Sequence, residues 1–180
     1  MTEPIFMEAD DRREVIRAYG QGYSVLVETG TNDGATPAYL EGDFERIWTI
    51  EMEPDLHRLA ERRFARSTVV RCLLGDSAVV LPKLLPKLRG PAVFWLDGHH
   101  SGPGTAHGEL STPVRDELAC VLADRFHHVV LIDDARIFQG EAEHEMYDHY
   151  ADYPSLGWVE DFARRHGYDY ELADDIVRLT

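Results

Sequence analysis

Apolar positions along the chain fall into short continuous runs separated by stretches with a helical period. SVLVE (24–28) is a brief apolar run closed by a glycine turn, the pattern of a strand buried on both faces. RIWTIE (46–51), STVVRCLLGD (67–76), AVFWLD (92–97) and HVVLID (128–133) read as four more strands. Helices are expected between them. One runs over residues 10–19 and stops at Gly20 and Gly22, and a short one covers 36–40. Pro54 opens another, with Leu56, Leu59, Ala60 and Phe64 on one face. Ser77 begins a helix interrupted by Pro82 and Pro86 before Gly90. Thr112 and Pro113 read as an N-cap and first-turn pair for a helix turning Val114, Leu118, Val121 and Leu122 inward. A last helix is expected from about Pro154 to Arg165, before YELA and IVRLT meet around the Asp174–Asp175 turn.

Strands that alternate with helices predict a mainly parallel sheet, because parallel neighbours need crossover connections. The fold expected is a Rossmann-like, doubly wound α/β domain with a seven-stranded sheet and a C-terminal antiparallel hairpin. No repeat or linker divides residues 1–180, so one domain is expected.

Composition then narrows the partners. Eighteen Lys and Arg against thirty-three Asp and Glu leave a net charge of −15, a field that repels phosphate backbones and anionic lipid surfaces. A small molecule is the expected partner, not nucleic acid or membrane. Cys72 and Cys120 have no metal or disulfide spacing and are expected to be reduced and buried, as in a cytoplasmic protein. No stretch approaches the roughly 20 apolar residues that a bilayer span needs.

In a doubly wound sheet the ligand lies beyond the carboxyl ends of the strands, closest to the first strand–helix turn. That turn is ETGTNDG (28–34), in which Glu28 precedes Gly30 and Gly34. A carboxylate there suits a cationic ligand better than a pyrophosphate. Glu51, ending the second strand, is placed to accept hydrogen bonds from both hydroxyls of a ribose. Asp76 and Ser77 follow the third strand, where an adenine edge would lie.

Acidic strand ends in this order resemble the class I S-adenosylmethionine-dependent methyltransferases, over roughly residues 24–180. The resemblance implies that Glu28, Gly30, Thr31 and Gly34 surround the amino acid portion of the cofactor. It also implies that Glu51 holds the ribose, that Asp76 and Ser77 meet the adenine, and that Asp97 borders the same site.

Asp97 ends the fourth strand and the pair Asp133 and Asp134 ends the fifth. Three hard oxygen ligands converging beside the cofactor suggest Mg²⁺ or a similar divalent cation, able to activate an acceptor hydroxyl. Here the chain resembles metal-dependent O-methyltransferases of the catechol, caffeoyl-CoA and macrocin types, the Asp–Asp pair matching the macrocin type best. Where a lysine base commonly follows the strand-four aspartate by three residues, this chain has His100. Histidine titrates near neutrality, so His100 is the first choice for general base. His99 is the alternative, as base, metal ligand or partner to a carboxylate.

The small residues of SGPGTAHGELSTP (101–113) suggest a loop over the site, with His107 and Glu109 as further contacts. His144 and His149 are five apart and share no helix face, whereas Phe138, Met146, Tyr147 and Tyr150 are candidates to face the substrate. Trp48, Trp95 and Trp158 read as packing residues. The expected function is metal-assisted O-methylation of a small hydroxylated metabolite. A metal-independent N-methyltransferase, a non-methylating S-adenosylmethionine enzyme and a cofactor-binding regulatory module are the alternatives, and a second copy of the chain is a further candidate to complete the pocket.

Overall fold

The computed structural model describes residues 9–98, 112–139 and 153–180. Seven strands form one sheet: β1 (Val25–Thr29), β2 (Arg46–Glu51), β3 (Val70–Leu74), β4 (Val93–Leu96), β5 (Val129–Ile132), β6 (Tyr170–Ala173) and β7 (Ile176–Leu179). Their spatial order is β3-β2-β1-β4-β5-β7-β6. The first five run parallel, and β7 inserts antiparallel between β5 and β6. The order reverses between β1 and β4, which opens a crevice at their carboxyl ends.

Among the described residues, six α-helices cover the two faces: α1 (Ala9–Tyr19), α2 (Ala35–Leu40), α3 (Pro54–Arg63), α4 (Ser77–Leu84), α5 (Val114–Val121) and α6 (Leu156–Arg165). Because side chains alternate along a strand, the central strands feed two cores at once. Val27, Ile50, Phe94, Leu96, Val130 and Ile132 pack with α4, α5 and α6. Leu26, Ile47, Val93, Trp95 and Leu131 pack with Ile16, Leu40, Ala60 and Phe64 of the opposite layer. Each Val, Leu, Ile or Phe among them, fully buried, contributes roughly 1.5–3 kcal/mol of transfer free energy.

His128 closes the seam below β4 and β5. Its Nδ1 accepts from the Ala92 amide at 3.1 Å and its Nε2 lies 3.0 Å from Asp124 Oδ2, so the neutral ring with a proton on Nε2 satisfies both. Burial lowers its pKa, opposed by Asp124.

Several local expectations are corrected. Leu59 is 52 % exposed, because the buried stripe of α3 runs through His57, Ala60 and Phe64 and leaves Leu59 about 100° around the helix from Ala60. Pro113 is itself the N-cap of α5 and the helix starts at Val114; Thr112 Oγ1 accepts from the Val114 amide at 3.3 Å. Cys72 and Cys120 are half-buried, the first because β3 is an edge strand. The Asp174–Asp175 turn places both residues at positive φ, 55° and 60°, as a tight hairpin turn requires.

Candidate functional site

The glycine turn is built by backbone first. Gly30 has φ 84°, and a Cβ there would stand 2.3 Å from the Asp97 carbonyl oxygen. The turn therefore rests directly on the main chain that leaves β4. The amides of Gly30 and Thr31 both donate to the Ile50 carbonyl, at 3.0 and 3.3 Å, which ties the turn to the end of β2. Gly34, φ 76°, caps α2 with a Cβ position 2.8 Å from the Phe64 ring.

Behind this turn runs a buried chain of hydroxyls. Thr49 Oγ1 donates to Glu28 Oε2 at 2.6 Å, so the 2.5 Å contact between Thr31 and Thr49 has Thr31 as donor. Glu28 and Thr31 are only 2 % and 3 % exposed, so they support the turn from below. Burial pushes the Glu28 carboxyl up to about 8, with the charges of Asp97 and Glu51 adding to the rise and the Thr49 and Thr36 hydroxyls opposing it.

Glu51 is held at both oxygens. Oε2 accepts from the Asn32 amide at 2.8 Å and Oε1 from the Glu53 amide at 2.9 Å. Asn32 meets it with φ 49°. A carboxylate fixed this way keeps free lone pairs in a set direction, the arrangement needed to grip a vicinal diol. Met52, next in the chain, is 40 % exposed, and Leu74, paired in register with Glu51, is 52 % exposed. Together they make an apolar edge beside Glu51. Asp76 caps α4, its Oδ1 accepting from the Ala78 amide at 2.9 Å, with Ser77 buried behind it.

A second acidic group sits across the crevice. Glu117, on the buried face of α5, is 1 % exposed. Its carboxyl is pushed up to about 7 by burial and by the charges of Asp76 and Asp97, while the hydroxyls of Ser77 and Thr29 pull it down. Those hydroxyls lie close, yet Glu117 Oε1 and Thr29 Oγ1 complete no hydrogen bond of normal geometry. Both face Gly98, whose Cβ position would be 3.4 and 3.1 Å from them. Leu96, Gly98, Val114, Glu117, Asp133, Phe138 and Tyr153 line a recess here. Phe138, expected to face substrate, is 3 % exposed and packs edge-on to Tyr153. Glu117 escaped the sequence reading, although it interrupts the Val114–Leu118–Val121 apolar stripe at an inward position.

The expected metal ligands are only partly brought together. Burial and the charges of Asp97 and Asp134 push the Asp133 carboxyl up, and the Arg12 guanidinium pulls it back. Arg12 Nε donates to Asp133 Oδ1 at 2.7 Å and its Nη2 to Asp134 Oδ1 at 3.1 Å. Arg136 also pairs with Asp134 at 2.7 Å. Among the described residues no group of three His, Cys, Asp or Glu side chains is set to hold a metal ion. Guanidinium groups thus already meet Oδ1 of both carboxylates of the strand-five pair. His99, His100, His107, Glu109, His144, Met146, Tyr147, His149 and Tyr150 lie outside the described residues. Among the described residues no helix is long and apolar enough to cross a membrane.

No protein-family model matches the sequence, and no curated protein matches it significantly. Solved structures do match the fold. A methyltransferase of Podospora anserina bound to S-adenosylhomocysteine is 14% identical, with a TM-score of 0.61 over 96% of this chain and 79% of that one. A putative caffeoyl-CoA O-methyltransferase from Staphylococcus aureus is 15% identical, TM-score 0.61, over 95% and 81%. A precorrin-6y C5,15-methyltransferase from Geobacter metallireducens is 14% identical, TM-score 0.59, over 99% and 90%. The chain has the Rossmann-like fold that these methyltransferases share, and the acceptors in their names differ.

Proposed function

We propose that this chain binds S-adenosylmethionine in the crevice between β1 and β4 and directs its methyl group to an oxygen of a small hydroxylated acceptor. The observation that carries the reading is Glu51, fixed at both oxygens by main-chain amides beside a turn packed onto the backbone of Asp97. Glu51 would hold the ribose hydroxyls, the exposed Met52 and Leu74 side chains would cover the adenine, and Asp76 and Ser77 would meet its edge. Gly30 and Gly34 let the main chain come close to the amino acid portion, and the buried Thr31–Thr49–Glu28 chain holds that turn in shape.

When bound, the cofactor supplies an electrophilic methyl group on a sulfonium, which is transferred by in-line displacement. The protein's contribution is then mainly positioning and removal of one proton. The recess beyond Gly98 supplies apolar walls from Leu96, Val114 and Phe138 and two acids, Glu117 and Asp133. His100 follows Asp97 by three residues and is suited to take the acceptor's proton, with His99 as the alternative. Glu117, poised near neutrality, is a second group able to do so.

The unpartnered Glu117 oxygen favours one competing reading, an amine acceptor, since a buried carboxylate gains most from a cationic donor. Incubating the protein with S-adenosylmethionine and a panel of hydroxylated and amine metabolites, with and without a chelator, tests the proposal. Release of S-adenosylhomocysteine with an O-methylated product is expected; N-methylated products alone would establish the competing reading. Tight cofactor binding with no turnover on any acceptor would favour a regulatory module.

A further inference from the structure

The carboxylates that end β5 are bound to the opposite end of the chain. Arg12 of α1 reaches across 121 residues of sequence to Asp133, with Nε 2.7 Å from Oδ1. The same guanidinium spans Asp134 at 3.1 Å and lies 3.6 Å from Asp175. Arg136 completes the group, pairing with Asp134 at 2.7 Å and with Asp175. The main chain contributes as well: Asp133 Oδ1 accepts from the Asp134 amide at 2.8 Å, and Asp175 Oδ1 from the Arg136 amide at 2.8 Å. The side chains of Asp133, Asp134, Asp175 and Arg12 are 7, 14, 17 and 18 % exposed. These are charges withdrawn from water and matched to one another, unlike a solvated surface pair.

A Mg²⁺ ion seated on Asp133 and Asp134 would need their oxygens at about 2.0–2.1 Å. Oδ1 of each already receives guanidinium N–H groups. Two positive charges so close would repel strongly in a half-buried setting, so ion and guanidinium cannot share the pair.

We propose that Arg12 is the resident counter-charge of the Asp133–Asp134 pair, a positioning residue that holds Asp133 at the edge of the recess, and that this pair consequently takes no divalent cation. α1 is thereby tethered across the carboxyl end of β5 and the adjacent amino end of β7. The charge partner of the pair is a separate matter from methyl transfer, and either reading can fail without the other.

Titration with Mn²⁺, followed by loss of the free-ion electron paramagnetic resonance signal, tests it on the full chain. Wild type and Asp133→Asn should give superimposable curves, whether or not an ion binds elsewhere. Arg12→Gln should take up an ion that a further Asp133→Asn change removes, and should melt roughly 5 °C or more below wild type without metal. Arg12→Lys, keeping the charge, should behave as wild type toward Mn²⁺. A wild-type ion lost in Asp133→Asn would overturn the proposal. So would an Arg12→Gln protein that melts with wild type and takes up no Mn²⁺. If Arg12→Gln does not fold, the comparison of wild type with Asp133→Asn still decides.

Discussion

Replacing Glu28 by glutamine isolates the buried acid beneath the glycine turn. The carboxyl has an ordinary value of 4.5 and is raised to about 8 in the folded chain, chiefly by burial. The folded state therefore holds a proton that the unfolded chain releases more readily. The stability this supplies is complete below pH 4.5 and is lost as pH rises toward 8. Each tenfold step in proton concentration is worth about 1.4 kcal/mol, so by pH 7 the loss amounts to about 3 kcal/mol as an upper bound. A glutamine side chain in this place would keep a carbonyl to accept from Thr49 and present an amide toward Thr36, removing the titration at little cost in shape. Urea unfolding at pH 5 should find wild type and Glu28→Gln close. At pH 8 the variant midpoint should lie above wild type by roughly 1 M or more, given a slope of about 1–3 kcal/mol per molar. Taking the difference between the two proteins cancels the other titrating acids. Parallel pH–stability curves would show that Glu28 is ionised throughout and that burial does not hold its proton.

Gly30→Ala should cost about 3 kcal/mol or more, from a left-handed φ that disfavours a Cβ and a clash with main-chain oxygen that cannot swing aside. Calorimetry should find a melting point lower by roughly 6–12 °C, and an unchanged one would mean that the turn does not rest on Asp97. Glu117→Gln should leave stability near wild type at pH 5.5 and raise it by about 1–2 kcal/mol at pH 8, where the buried carboxylate is ionised. A pH profile of unfolding identical to wild type would contradict the burial of an unmatched acid there.

The sheet was legible because continuous apolar runs admit few alternatives: RIWTIE is β2 to the residue, and the two aspartates between YELA and IVRLT do form the hairpin turn. The crevice was legible because strand ends are where the acids stand. What escaped depends on long-range contact. An acid inside an α5 stripe is indistinguishable in sequence from a solvated helix charge until Ser77 and Thr29 are seen packed against it. Arg12 reads as one charge in an acidic–basic N-terminal helix, and its partners lie more than a hundred residues away. The sequence places Asp133 and Asp134 at the end of the fifth strand, but spacing cannot show that guanidinium groups pair with them. Leu59 illustrates the same limit locally, because an apolar residue at the border of a helical stripe has its burial decided by the neighbouring layer.

Calorimetric titration of S-adenosylhomocysteine into wild type and Glu51→Ala tests the central claim most directly, because it needs no acceptor. Saturable one-to-one binding to wild type is predicted, weakened at least about tenfold in the variant by loss of the charged hydrogen-bond acceptor and the Asn32 anchor. Absence of binding to wild type, or equal affinity in the variant, would contradict it.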